Sequence, residues 1–192
     1  MTTLILPRPA PDEAASFYHG YIAEVAGENI GEQVIDQLAE LEQLYSSLDD
    51  RAALARYAPG KWSIKEILGH LADAERIFAY RLLRIARGDT TPLPGFDEKP
   101  YVAAGRFDER PLATLLAEFR AVRLGSAALL AGVPSTAWSE RGQASGHPIS
   151  ARALAYIIVG HPAHHLAVLR DRYGLATGAD LVSSRRVAQE HR

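Results

Sequence analysis

Four stretches of this chain carry apolar residues at spacings of three and four, and that recurrence confines it to helical architectures. In the first, over about 31–48, Ile30, Val34, Leu38, Leu41, Tyr45 and Leu48 make one stripe, with Glu32, Asp36, Glu40 and Glu42 on the other positions. Tyr57-Ala58-Pro59-Gly60 breaks the chain after it. Ser63 and Glu66 then form a capping box, and Ile64, Ile67, Leu71, Ala74, Phe78, Leu82 and Ile85 run on to a stop at Gly88. The third stripe is Leu112, Leu115, Phe119, Val122, Ser126 and Leu129, with Asp108 as its predicted cap. The fourth runs from a cap at Ser150 to Tyr173, with Gly174 as the stop. No run of alternating strand residues accompanies these segments.

The segments between them read as connections. Residues 1–11 form an extended, Pro-rich lead, and a short helical piece over 12–26 ends at Gly27. Pro92, Pro94, Gly95, Pro100 and Gly105 mark a long link over 89–107, and a second loop over 132–148 carries Trp138, Arg141 and His147. The predicted organisation is an N-terminal extension over 1–29, a helical domain over 30–174 and a polar tail over 175–192. Four amphipathic helices predict an all-α four-helix bundle. The long crossover leaves the second and third helices parallel, and the second and fourth antiparallel.

Composition narrows function by exclusion. A length of 192 residues suits one domain, and the hydrophobic share of 47% with 23% charged residues is that of a globular chain. The net charge of −2 gives no bulk reason to bind nucleic acid, and no face collects a basic stripe. The first eleven residues lack the apolar core of a secretory signal, and the longest apolar run, Ala153 to Val159, is too short to span a bilayer. A cytoplasmic protein without membrane attachment is the expectation. There are no cysteines. Any metal must therefore be held by His, Asp or Glu, and any thiol chemistry must use a thiol from a cosubstrate.

The fourth stripe carries the chemistry. Its members are Leu154, Ile158, His161, His165 and Val168, so two histidines one turn apart take core positions and project from one face. His70, on the flank of the second helix's stripe, lies near their level if those helices pack antiparallel. Imidazole suits zinc, nickel, copper and ferrous iron, and three histidines leave a coordination position open for water or substrate. The bland alternative is three buried histidines bonded to carbonyls or carboxylates. Pro162 complicates the stripe, since it removes a helical amide and disfavours helical geometry at His161. A kink there would let His164 compete with His165.

Other polar residues read more simply. Glu66 and Asp73 flank His70 and could orient it, although capping explains the first and a solvated face the second. Trp62 reads as a helix-entry anchor, and His19, His147 and His191 as surface residues. Arg84, Arg87, Arg120 and Arg123 read as solvated faces, with a pocket arginine for an anionic substrate as the alternative among them. No nucleophile elbow, phosphate loop, dinucleotide fingerprint or HExxH motif is present, and no general base declares itself.

The run Gly60-Lys61-Trp62-Ser63-Ile64-Lys65-Glu66-Ile67-Leu68-Gly69-His70-Leu71-Ala72-Asp73-Ala74-Glu75 resembles the second helix of the DinB-like, damage-inducible metalloprotein superfamily. So do Gly160-His161-Pro162-Ala163-His164-His165-Leu166, Leu169-Arg170-Asp171-Arg172-Tyr173 and the loop Thr91-Pro92-Leu93-Pro94-Gly95-Phe96-Asp97-Glu98. The resemblance covers roughly residues 30 to 173. It implies an up-down-down-up four-helix bundle, often a homodimer, with one divalent ion (zinc, nickel or iron) on His70, His161 and His165. Pro162 departs from the helix former more usual at its position.

For function, the resemblance implies a metal-dependent enzyme that uses an exogenous low-molecular-weight thiol, of transferase or isomerase type. Hydrolysis of a small-molecule substrate by a metal-activated water is the second expectation. A third is a non-catalytic, metal-stabilised stress-response or binding protein.

Overall fold

The computed structural model describes residues 3–176, so the predicted tail, His191 included, lies almost wholly outside the described residues. Six helices are named here: α1 (His19–Ala23), α2 (Ile30–Ser46), α3 (Ile64–Ala86), α4 (Glu98–Gly105), α5 (Leu112–Ala131) and α6 (Ala151–Tyr173). Two short strands, β1 (Arg141–Ala144) and β2 (His147–Ser150), pair antiparallel between α5 and α6. No helix of the described residues is long and apolar enough to cross a membrane.

The four long helices form the bundle, and the packing fixes their directions. One cluster joins Ile30 and Val34 of α2, Phe78, Leu82 and Ile85 of α3, Leu130 of α5, and Leu154 and Ile158 of α6. The other joins Leu38, Leu41 and Leu44 of α2, Ile64, Ile67 and Leu71 of α3, Leu112, Leu115 and Phe119 of α5, and Leu166 and Leu169 of α6. The C-terminal halves of α2 and α6 thus meet the N-terminal halves of α3 and α5. That is an up-down-down-up bundle, with α2 and α6 running one way and α3 and α5 the other.

Capping explains most of the boundaries. Ser63 Oγ accepts from the Glu66 amide at 3.0 Å while the Glu66 carboxylate accepts from the Ser63 amide at 2.8 Å. Ser150 Oγ accepts from the Ala153 amide at 3.0 Å, and Gly174 closes α6 with φ of 67°. Asp108 is not the cap of α5. It lies in a 3-10 turn and binds Ser63 Oγ and Arg56, whereas Asp50 accepts from the Leu112 amide at 2.8 Å.

Three segments differ from the sequence expectation. The stretch over 12–26 is two 3-10 turns followed by the five-residue α1, not one helix. The long crossover contains α4, capped by Asp97. Leu93, in the same crossover, bonds Gln143 and Ser145 at 2.9 and 3.1 Å and so ties it to the strand pair in the second loop.

Candidate metal centre

α6 is unbroken through Pro162, and the reason lies on α2 and α5. Proline has no amide, so the carbonyl of Ile158 loses its helical partner. Arg123 Nη1 donates to that carbonyl at 2.8 Å, and Gln37 Nε2 donates to the next one, Val159, at 3.0 Å. Arg123 is wholly buried. It also donates to Val34 O at 3.1 Å, to Glu75 Oε2 at 2.9 Å and to Gln37 Oε1. Arg123 is therefore not the solvated residue its helical spacing predicts. Its guanidinium replaces the donor that Pro162 deletes, so α6 stays continuous immediately before His161.

With α6 continuous, His161 and His165 share a face and meet His70 of α3. The ring centroids are 4.7 to 5.1 Å apart, and one candidate ligand atom from each residue lies within 4.8 Å of the other two. All three are buried. His164 is half-buried and stands outside this group, its ring 5.4 Å from that of Tyr21.

Burial decides the charge of the imidazoles. Desolvation pushes the His70 pKa down to about 4. The same cause holds His161 and His165 well below the usual value, and the facing imidazoles push the same way. All three are neutral at pH 7, the form a metal ion requires. His70 Nε2 and His161 Nε2 face each other at 3.0 Å, and buried His165 Nδ1 has no hydrogen-bond partner. In a tetrahedral site with bonds of about 2.0–2.1 Å, ligand nitrogens stand about 3.3 Å apart. The donor set and the orphaned nitrogen fit a divalent ion.

Neither Glu66 nor Asp73 bonds a triad imidazole. Glu66 serves its cap and Arg56, and Asp73 binds Arg76 at 3.2 Å. Aromatic rings hold the imidazoles instead. Trp62 lies 4.7 Å from the His70 ring, and Tyr21 and Phe78 lie 5.2 and 5.5 Å from that of His161. Tyr21 reaches this place because Gly160 lets α1 press on α6. A Cβ at Gly160 would stand 1.9 Å from the Tyr21 carbonyl oxygen.

The triad faces a cleft of about 470 Å³ between α1, α3, α6 and the 94–98 segment. A second lobe of about 340 Å³, walled by Tyr57, Lys61, Lys99, His164 and Tyr173, adjoins it. Trp62, Glu98 and His165 line both. Trp62 is thus a wall of the cleft as well as the entry to α3. Glu98, half-buried, lines both lobes, a place that a residue in a Pro- and Gly-rich connection does not announce. His19 and His147 are exposed.

A family model described as the DinB superfamily matches residues 33–169. None of the curated proteins matches the chain. Among solved structures, the fold is similar to YfiT from Bacillus subtilis, described as a probable metal-dependent hydrolase with an unusual four-helix bundle topology. The TM-score is 0.66 at 18% identity, over 88% of this chain and 95% of that one. It is also similar to the mycothiol-dependent maleylpyruvate isomerase, with a TM-score of 0.61 at 14% identity over 77% of this chain. The match spans 61% of that isomerase chain.

Proposed function

This chain belongs to the DinB superfamily, and from that premise we propose a metal-dependent enzyme that joins an exogenous low-molecular-weight thiol to a second small molecule. His70, His161 and His165 hold one divalent ion, zinc, nickel or iron. The observation that carries the reading is the two-lobed cleft, whose lobes share His165, Trp62 and Glu98. Two molecules have room to meet at the triad, and a chain without cysteine has to take its thiol from outside.

A bound divalent ion supplies a lowered thiol pKa, so that the nucleophilic form exists at neutral pH. The rest falls to side chains of this chain. The neutral imidazoles offer lone pairs without having to lose a proton first. Trp62, Tyr21 and Phe78 keep bulk water from the rings. Glu98, at the junction of the lobes, is placed to accept the thiol proton on its carboxylate and return it to the product. The same carboxylate in a cleft lined by the triad favours a second reading, hydrolysis of an ester or amide by a water that a bound ion would activate.

The first measurement is metal content, in wild type and His165→Ala protein made without a histidine tag. About one equivalent in the wild type and little in the variant is expected, and no metal in either after reconstitution overturns the centre. The second is the absorption spectrum of cobalt- or nickel-loaded protein titrated with glutathione and with bacillithiol. A new sulfur-to-metal band is expected with at least one thiol. Unchanged spectra, with ester or amide turnover that needs no thiol, would give the site to the hydrolytic reading.

A further inference from the structure

Three cations are buried among the described residues: Lys65, Arg81 and Arg123. Lys65 pairs with Asp50, and Arg123 with Glu75. Arg81, only 2% exposed, has no carboxylate partner among the described residues. Its hydrogen bonds go to neutral acceptors: Tyr18 OH at 3.1 Å, Pro94 O at 2.7 Å and Ser145 Oγ at 3.1 Å. Its guanidinium carbon lies 5.8 Å from the centre of the Phe96 ring. A guanidinium cannot shed its proton to escape burial, so this charge stands desolvated without a counter-charge.

The place of Arg81 gives that imbalance a use. Tyr18, Phe96 and Ser145, which surround it, line the same cleft as the histidine triad. Arg81 is eleven residues beyond His70 on α3, so the two lie about 20° apart around the helix and roughly 16 Å apart along it. Ala74 and Phe78, between them on that face, also line the cleft. The cleft therefore runs along α3 from the imidazoles, past an apolar middle, to a buried positive charge. Both hydroxyls that accept from Arg81 keep their own O–H to donate.

We propose that the Arg81 end of the cleft is a carboxylate subsite, and that the substrate is an acid with an apolar or aromatic middle whose far end reaches the triad. The carboxylate accepts from Tyr18 OH and Ser145 Oγ at the cleft wall and supplies the counter-charge that Arg81 lacks. The inference rests on the metal-centre reading only for which end of the substrate reacts. The subsite itself exists with or without the ion.

The test is calorimetric titration of chelator-treated protein with phenylpropionate and with its neutral isostere, phenylpropionamide. The wild type is expected to bind the acid roughly tenfold or more tightly than the amide, as a hydrogen bond to a charged group requires. Ser145→Asp provides the decisive variant. Ser145 has φ of 54°, a conformation that Asp tolerates, and the new side chain would give Arg81 a carboxylate of its own. This variant is expected to melt at a higher temperature and to lose the preference for the acid. Tyr18→Phe keeps the ring, removes one donor and is expected to reduce the preference about threefold. Equal binding of acid and amide by the wild type, no binding of either, or an undiminished preference in both variants overturns the subsite. Because the protein is chelated, failure here leaves the metal centre standing, and a missing metal would leave this result standing.

Discussion

Two clusters of buried polar side chains sit side by side on α6, one turn apart, and they differ in what each group finds as a partner. Around Ile158 and Val159, Arg123 spends its donors on Glu75, Gln37 and two carbonyls, and Gln37 takes the remaining carbonyl. Around His161 and His165, two nitrogens confront each other and a third has no partner. The first cluster answers a structural need: Arg123 meets Glu75 Oε2 and the carbonyls meet donors, with Glu75 Oε1 alone left unbonded. The second turns imidazole nitrogens toward one another, with no opposite charge among them. Burial is common to both, and each keeps one buried atom without a partner; what separates a structural polar core from a site here is that the first pairs opposite charges while the second gathers three neutral imidazoles.

Removing Arg123 should break that contrast most severely. Arg123→Met leaves Glu75 buried as an unpaired charge and the Ile158 carbonyl without a donor. A loss of about 3–5 kcal/mol in urea unfolding is expected. Adding Glu75→Leu should restore a good part of it, because the stranded charge goes too. A cost under about 1 kcal/mol for Arg123→Met would mean that Pro162 needs no compensation.

Acid should separate the clusters next. The His70 pKa is lowered on folding, so between the unfolded value near 6.5 and the folded value of about 4 the native state binds fewer protons than the unfolded chain. The stabilising share from keeping His70 neutral is zero at high pH, and the protein loses stability as pH falls below 6.5. From His70 alone the chelated protein should lose about 3 kcal/mol by pH 4. The measurement is the unfolding free energy against pH for wild type and His70→Leu. Parallel curves across this window would show that His70 is not held neutral by burial.

The smallest effect sharpens the comparison from outside. Arg120 stands one turn before Arg123 on α5 and pairs with Glu42 at the surface. Arg120→Ala should change stability by at most about 1 kcal/mol, as exposed pairs do, and less at high salt. A cost like that of Arg123→Met would remove the distinction between the two arginines.

That pair also marks where sequence reading stops. Ser63 with Glu66, Ser150 and Gly174 were legible as boundaries because caps are local, satisfied within a few residues of the chain. The convergence of His70, His161 and His165 was legible because helical spacing and antiparallel packing together set their level. The inner face of α5 was legible only in part: Leu112, Leu115, Phe119 and Ser126 are buried as their spacing predicts. Its stripe was expected at Val122 and Leu129, yet Arg123 and Leu130 are buried and the other two are only half-covered. A charged residue shifts the apparent apolar face by one position, and its reason for burial lies in a proline on another helix. The surroundings of Arg81 and Glu98 escaped for a similar reason, since loops that periodicity does not describe supply them. The strand pair is four residues long on each side and carries no clean alternation.

The tryptophan packed on His70 has a practical consequence. Of the two tryptophans in the chain, Trp62 lies 4.7 Å from a triad ring, while Trp138 is buried in the other core cluster. An open-shell ion such as nickel or cobalt drains excited-state energy from an indole at such short range, and zinc does not. The emission of Trp62 thus doubles as a gauge of occupancy, with Trp138 as the standard in the same molecule. Titration with nickel and then with zinc would report filling and exchange without any substrate in hand.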